Sequence, residues 1–348
     1  MIESTLPRVF TNALDKLSAQ GERYFGHPET VIEPLALADR EAAQVLRARL
    51  RTGGSTGRHI FVKVFKPRGP SADDWHFMRA RLMNDFAMTS EVHDALNGYS
   101  DLAAVRPIAC LPDDLILVTE EAPGEPFDSM LERHAVWQPD NRTLNGLLHI
   151  AGRVGAWLRA FQGIRRLDRR ITIDDMREYL DVRLKRLVSS PKGGFCELRR
   201  KSVLSYFDAI SRDVVRADLS EVLVHGDIAP SNILVDGRGP GPRIVVIDFA
   251  MTCTGGMFFD VARLFTQFDF LKAKPKFRPH IVARLQTALL AGFNPALRPS
   301  DPLFKLFELQ HVICHVANLS LNPAPPIARL YNLYQLHRHH RWLRQRAA

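Results

Sequence analysis

The stretch "VLVHGDIAPSNILVDG", Val222–Gly237, sets a histidine, an aspartate and an asparagine between two apolar runs. Leu223 and Val224 close the first run, Ile233 to Val235 make the second, and Val245 to Ile247 in RIVVIDFA make a third that ends on Asp248. Short apolar runs bounded by turn residues read as buried strands. His225, Asp227 and Asn232 therefore fall in a loop and at strand ends, where rigid neighbours hold the side chains that bind and catalyse. Asp227 lies five positions before Asn232, so two carboxylates and one amide oxygen can gather on one spot. Hard oxygen ligands of that kind suit magnesium carrying phosphates. The competing reading, a turn in which Asp and Asn serve as local caps, explains any one of these residues but has to explain all of them together.

Working outward, residues 7–20 carry apolar side chains at helical spacing, and residues 31–67 read as short strands joined by turns. TGGSTG, residues 52–57, is the hairpin signal among them. HIFVKVF, residues 59–65, alternates His59, Phe61, Lys63 and Phe65 against Ile60, Val62 and Val64, which is strand periodicity. Residues 73–98 have the composition of one long helix ending at Gly98, and VRPIACL and DDLILVTEEAPGEPF give two strands around a Pro112–Asp114 turn. A Pro/Gly-rich exit at Ala122–Pro126 places a boundary near Glu121, dividing the chain into 1–121 and 122–348. Beyond it helical patterns dominate, over 143–163, 172–189, 196–217, 279–292, 303–321 and 326–346. Strands followed by helices give an α+β class.

Composition bounds the function. With 348 residues, 46% apolar and 24% charged, the chain is sized for two lobes and has no low-complexity tract. Its four cysteines are scattered without a CxxC pair, which argues against a disulfide framework or a structural zinc and points to the cytoplasm. The first residues lack the pattern of a secretory signal, and no apolar run approaches the ~18 residues of an integral membrane segment. Of the net charge of +9, Arg329, Arg338, Arg341, Arg344 and Arg346 supply five in a terminal stretch without acidic residues. Aromatics are not interleaved with these charges as a nucleic-acid platform requires, so the stretch reads as the solvated face of a C-terminal helix. The same holds for His337, His339 and His340, whose neighbouring arginines oppose a bound dication. Oligomeric state leaves no signature.

The H-x-D-x-x-x-x-N run followed by I-D-F resembles the protein-kinase-like fold, and its HGD form with NIL and VIDF is similar to the aminoglycoside phosphotransferase and choline kinase family, over roughly residues 25 to 320. The resemblance implies a bilobal fold with a small antiparallel-sheet N-lobe that binds nucleotide and a larger, mostly helical C-lobe that binds the acceptor. It implies that Asp227 accepts the proton of, or orients, the attacking hydroxyl, that His225 packs and braces the loop, and that Asn232 and Asp248 hold Mg2+ on the phosphates of ATP or GTP. Lys63 in FVKVF matches the strand lysine that reaches phosphate oxygens, while Lys66 is read as solvated. Glu91 in TSEVHDAL matches the helix glutamate that pairs with the lysine if a stretch around Pro67–Asp74 is inserted; Asp85 is the alternative. Glu120, Glu121 and Ala122 match the segment whose backbone holds the adenine edge. Asp260 in GGMFFDVARL matches an aspartate that steadies the catalytic loop from behind, and it can also serve as a helix N-cap.

One departure stands out: the expected phosphate-covering turn near ALADREAA has no glycine, and TGGSTG falls at the wrong hairpin. The resemblance implies transfer of the γ-phosphate of ATP or GTP to a hydroxyl of a small molecule or glycan. The missing glycines motivate the alternative, a nucleotide-binding pseudokinase or regulatory module. A protein kinase does not fit, because no activation-segment ending follows Asp248. A polycationic aminoglycoside calls for acceptor-side carboxylates, yet residues 173–187 are mixed in charge and Lys185 to Lys201 is basic. A neutral or anionic acceptor, such as a sugar or glycolipid head group, is the expectation.

Overall fold

The computed structural model describes residues 6–40, 42–52, 55–67, 69–165, 167–190, 194–215, 219–321 and 326–346. Two compact units emerge: 1–126 with 232–252, and 127–231 with 253–348. The segment bearing Asn232 and Asp248 therefore groups with the N-terminal sheet.

The first unit is built on a five-stranded antiparallel sheet. Its strands are β1 (Thr30–Asp39), β2 (Ala43–Thr52), β3 (Ser55–Phe65), β5 (Pro107–Leu111) and β6 (Ile116–Glu120), in the spatial order β1-β2-β3-β6-β5. Short strands were expected over 31–67, but the first three run 10, 10 and 11 residues. Pro34 does not end β1, because that strand lies at the sheet edge, where a missing N–H is tolerated. The register slips between Pro34 and Ala36 instead, the local accommodation of a bulge. The hairpin at TGGSTG joins β2 to β3 as expected, and its glycines Gly53 and Gly54 lie outside the described residues.

Alternation along β3 sorts the two faces. Ile60, Val62 and Val64 pack with Phe10, Leu14 and Leu17 of α1 (Arg8–Ala19), while Phe65 joins Met78 and Leu82 of α3 (Ala72–Ala95) on the opposite face. Lys63 shares this second face by periodicity. A short helix α2 (Gly21–Phe25) follows α1, and α3 stops at Ala95 rather than at Gly98. A second sheet has the order β4-β10-β9-β7, from β4 (Leu102–Ala104), β7 (Glu125–Pro126), β9 (Ile233–Asp236) and β10 (Arg243–Val246).

The second unit is helical apart from one antiparallel pair, β8 (Glu221–Val224) with β11 (Cys253–Gly256). Its helices are α4 (Phe127–His134), α5 (Asn141–Gln162), α6 (Ile173–Ser189), α7 (Glu197–Ser211), α8 (Phe259–Leu271), α9 (Pro279–Phe293), α10 (Pro302–Leu321) and α11 (Pro326–Arg346). The sequence reading did not recover α4 and α8, and α7 stops six residues before the expected 217. His339, expected in a solvated helix end, is buried against the rings of Phe270 and His315, at centroid distances of 4.8 Å and 5.1 Å.

Helices α5 and α9 meet backbone to backbone. A Cβ on Gly292 would overlap the Gly152 carbonyl oxygen, and one on Gly155 would overlap the Leu289 oxygen. Nothing lies within 4 Å of the position a Cβ would take on Gly146, on the exposed side of α5. Glycine to alanine should thus have opposite effects on these helices. Gly292→Ala is expected to destabilise the protein by about 3 kcal/mol through overpacking, whereas Gly146→Ala is expected to stabilise it by up to about 1 kcal/mol through helix propensity. Urea unfolding of both variants checks this; an unchanged midpoint for Gly292→Ala would contradict the close crossing.

Candidate active site

The first unit assembles a lysine and two aspartates. Lys63 Nζ lies 3.2 Å from Asp85 Oδ2 and 2.9 Å from Asp248 Oδ1, and over the Phe65 ring at 4.5 Å. Burial works against the Lys63 charge, yet Asp85 and Asp248 more than offset it and hold the ammonium above its ordinary pKa. The lysine side chain keeps 22% exposure, enough for its head to meet a ligand oxygen.

Asp85 is 1% exposed. Besides Lys63, it accepts the Phe249 N–H at Oδ1 (2.9 Å) and the Thr89 hydroxyl (3.3 Å). Burial pushes its carboxyl up from the ordinary carboxylate range, and Lys63 pulls it back. Asn84 beside it donates to the Thr252 carbonyl at 2.9 Å, so α3 grips the whole turn that follows β10.

The expected partner of Lys63 was Glu91; the ion pair forms with Asp85, the alternative. Six residues along a helix turn the side chain by about 240°, so Glu91 points away from the face that Asp85 presents. A signal for this was present in the sequence. Met78, Leu82, Thr89, Val92 and Leu96 are buried, and the spacing of that stripe includes position 85 and excludes 91. Lys66, expected in solvent, ion-pairs with Asp39 and donates to the Arg40 carbonyl at 3.0 Å, so it ties the turn between β1 and β2.

Asp248 takes a left-handed conformation, φ 69° and ψ 65°, uncommon for any residue but glycine and tolerated best by Asp and Asn. Such strain persists where surroundings over-determine it, and here the Asp85–Phe249 bond does so. Ile233 pairs with Val246 across β9 and β10, and Ile247 N–H donates to the Asn232 carbonyl at 3.1 Å. Asn232 and Asp248 therefore leave the same end of one ladder. Among the described residues no three His, Cys, Asp or Glu side chains gather as a metal site. The donors that fit a magnesium ion are the Asp248 carboxylate and the Asn232 amide oxygen, completed by phosphate oxygens and water.

The expected adenine-binding segment is partly committed within the sheet. Glu120 N–H donates to Arg106 O (2.9 Å) and Glu121 N–H to His59 O (2.8 Å), which leaves Ala122 as the backbone donor expected there. Their side chains are ion-paired, Glu120 with Arg58 and Glu121 with Arg47. As for the turn without glycine, none of its described residues has positive φ, so none of those positions calls for glycine.

The second unit holds the loop that leaves β8. His225 is fully buried, Gly226 has φ 77°, and Asp227 keeps 46% side-chain exposure. Asp260 accepts the His225 N–H at 2.6 Å and the Gly226 N–H at 3.1 Å. Burial lifts the Asp260 carboxyl to about 6, with the two amides acting against the rise. One turn on, Arg263 ion-pairs with Asp227 and donates to Ile228 O at 3.0 Å; a further turn on, Gln267 donates to the same oxygen at 3.3 Å. Residues 260, 263 and 267 form one stripe of α8, so a single helix face carries the loop. Arg263 and Gln267 were missed by sequence reasoning, although the i, i+3, i+7 spacing from Asp260 was available.

No curated protein matches the sequence. Solved structures share the fold at low identity. An ethanolamine kinase from Plasmodium vivax matches with a TM-score of 0.56 and 9% identity, covering 99% of this chain and 94% of that one. A microcompartment-associated aminopropanol kinase matches at 0.55 and 15%, covering 96% and 98%. The GDP and kanamycin complex of APH(2")-IIia matches at 0.53 and 11%, covering 97% and 98%. These likenesses establish an α+β, protein-kinase-like architecture. The profile of the phosphotransferase enzyme family matches residues 40–302, which include both buried aspartates, the lysine strand and the HGD loop, and the chain belongs to that family.

Proposed function

We propose that the chain moves the γ-phosphoryl group of ATP or GTP to a hydroxyl of a small molecule or glycan. The observation that carries this reading is the Lys63 ammonium set between the Asp85 and Asp248 carboxylates. A buried carboxylate fixes the lysine, the lysine faces phosphate oxygens, and Asp248, with Asn232, takes the magnesium ion that neutralises phosphate charge. In the transfer, the acceptor oxygen bonds to the γ-phosphorus as the bridging P–O bond to the β-phosphate breaks, the nucleoside diphosphate leaves, and the hydroxyl proton passes to Asp227. Arg263 orients that carboxylate, and His225 and Asp260 hold its loop. Such chemistry asks the protein for positioning and electrostatics rather than covalent work.

The acceptor reading follows charge. Asp181 is already paired with Arg200 and Lys185, and Asp208 with Arg177, so these two carboxylates of α6 and α7 are neutralised internally, while Asp174, Asp175 and Glu178 of α6 are exposed. The pairing favours a neutral or anionic acceptor; Lys192 of the basic segment lies outside the described residues. The pseudokinase alternative rests on the missing glycines of the turn between β1 and β2, and it requires nucleotide affinity without turnover.

Steady-state phosphotransfer with a panel of sugars, amino alcohols and aminoglycosides tests the reading. Turnover is expected to need magnesium, to fall roughly 10²–10⁴-fold in Asp227→Asn, and to fall in Asp85→Asn while Glu91→Gln stays close to wild type. Nucleotide binding with no transfer to any acceptor would establish the alternative.

Asp260 gives a separate expectation for pH. A folded-state pKa lifted to about 6 from 3.8 means that the native protein holds this proton more tightly than the unfolded chain. The resulting stability is complete below pH 3.8 and is lost as pH rises through about 6. Between about pH 5 and about pH 7.5, wild type should lose about 1.4 kcal/mol relative to Asp260→Asn, which cannot ionise. Paired urea titrations read this difference, and a stability gap that does not vary with pH would remove the buried acid from the account.

A further inference from the structure

Helix α11 turns polar and apolar residues inward together, Leu343 being buried beside its glutamine and histidine. Gln335 and His339 are buried, Gln335 donating to the Tyr331 hydroxyl at 2.6 Å. Burial lowers the His339 pKa to about 3, so this inner imidazole is neutral at physiological pH. Outward, Leu330 (74% exposed), Leu333 (57%) and Tyr334 (50%) stand in solvent. Helical geometry puts Arg341 and Arg344 on the same outward face, and both are exposed. The helix thus turns an apolar patch, continued by a cationic one, away from the protein.

A second, independent feature adjoins it. Trp137 shares a groove with Tyr331, Tyr334, Pro275 and the lysines Lys274 and Lys276, both of which share one carboxylate, Glu132. Its backbone has φ 58°, a strained conformation for a bulky side chain, held by its N–H donating to Lys276 O at 2.7 Å. The indole is 59% exposed.

We propose that this face binds an anionic lipid bilayer. Trp, Tyr and Leu flanked by arginine and lysine match the interface of a membrane, where aromatic and aliphatic groups enter the headgroup region and cations meet acidic lipids. α11 has no acidic residue, so charge complementarity calls for an anionic partner. A second copy of the chain fits poorly, because α11 offers no carboxylate to meet these arginines across an α11–α11 contact. No helix among the described residues is long and apolar enough to cross a membrane, which makes the contact peripheral. The inference goes beyond the phosphotransfer reading and does not rest on it.

The test is co-sedimentation of the full chain with vesicles of phosphatidylcholine alone or mixed with phosphatidylglycerol. Binding is expected only to the anionic vesicles, weakening as salt rises, with a blue shift in emission that Trp137→Phe removes. Arg341→Ala with Arg344→Ala should weaken binding about 30-fold at low salt, and Leu330→Ser with Leu333→Ser should abolish it. Unchanged thermal melts would show that these exposed substitutions leave the fold intact. Absence of wild-type binding to anionic vesicles overturns the proposal, as does binding that survives both double variants. Concentration-dependent dimers that the leucine substitutions dissolve, without vesicle binding, would assign the face to a second copy.

Discussion

A carboxylate removed from water must be compensated on every side or it unfolds its surroundings, and Asp85 is such a group. Its ties to Lys63, Phe249 and Thr89 join three parts of the first unit that are distant in sequence: strand β3, helix α3 and the turn after β10. Removing one partner of a buried pair costs about 3–5 kcal/mol because the other charge is stranded. The same bonds set the rotamer of Lys63 and the backbone of Asp248. Stability and site geometry therefore depend on one residue, and neither can drift without the other.

The second unit repeats the device with different neighbours. Asp260 is fully buried, and its two acceptor oxygens take the two amides that open the HGD loop. Amides at a strand end would otherwise be buried donors without acceptors, at about 1–3 kcal/mol each. Anchoring the acid in α8 also places Arg263 and Gln267 one and two turns later, where they reach Asp227 and Ile228. In each unit a helix supplies the buried acid and a loop supplies backbone N–H groups. The half-exposed residues, Asp227 and Asp248, are those to which the proposed transfer gives chemical roles.

How much of this could be read beforehand depended on whether the determining signal was local. Lys63 was legible because strand alternation is a two-residue rule, and the polar run from His225 to Asn232 was legible because apolar runs flank it. The partner of Lys63 was harder to read. Glu91 matched by residue type once a stretch around Pro67–Asp74 was taken as inserted, but the phase of a 24-residue helix against a sheet is fixed by tertiary packing, and only the buried stripe through Met78 and Leu82 carries it. The crossing of α5 and α9 was hidden for another reason: a helical glycine is a weak signal until the opposing backbone is known, as Gly146 and Gly155 on one helix illustrate. Helix α11 misled in the opposite sense, since its arginines suggested simple solvation while Leu330, Leu333 and Tyr334 occupy the outer face and Gln335, His339 and Leu343 the inner one.

The glycine-free turn illustrates why a missing motif residue is weaker information than a present one. Glycine is needed where φ is positive or where another backbone comes close. No described residue between β1 and β2 has positive φ, and Lys66 ties the turn through Asp39 and the Arg40 carbonyl. Gly124 is the contrasting case. With φ 117° and a Cβ position 2.7 Å from the Val235 backbone, it satisfies both conditions, just beyond the segment at Glu120–Ala122. Glycine is thus needed where the chain passes close to β9, and the β1–β2 turn is tied by an ion pair instead. An ion pair at such a turn is half-exposed and sensitive to salt, so the closure it provides is adjustable in a way that a glycine hinge, whose freedom is fixed by sterics, is not.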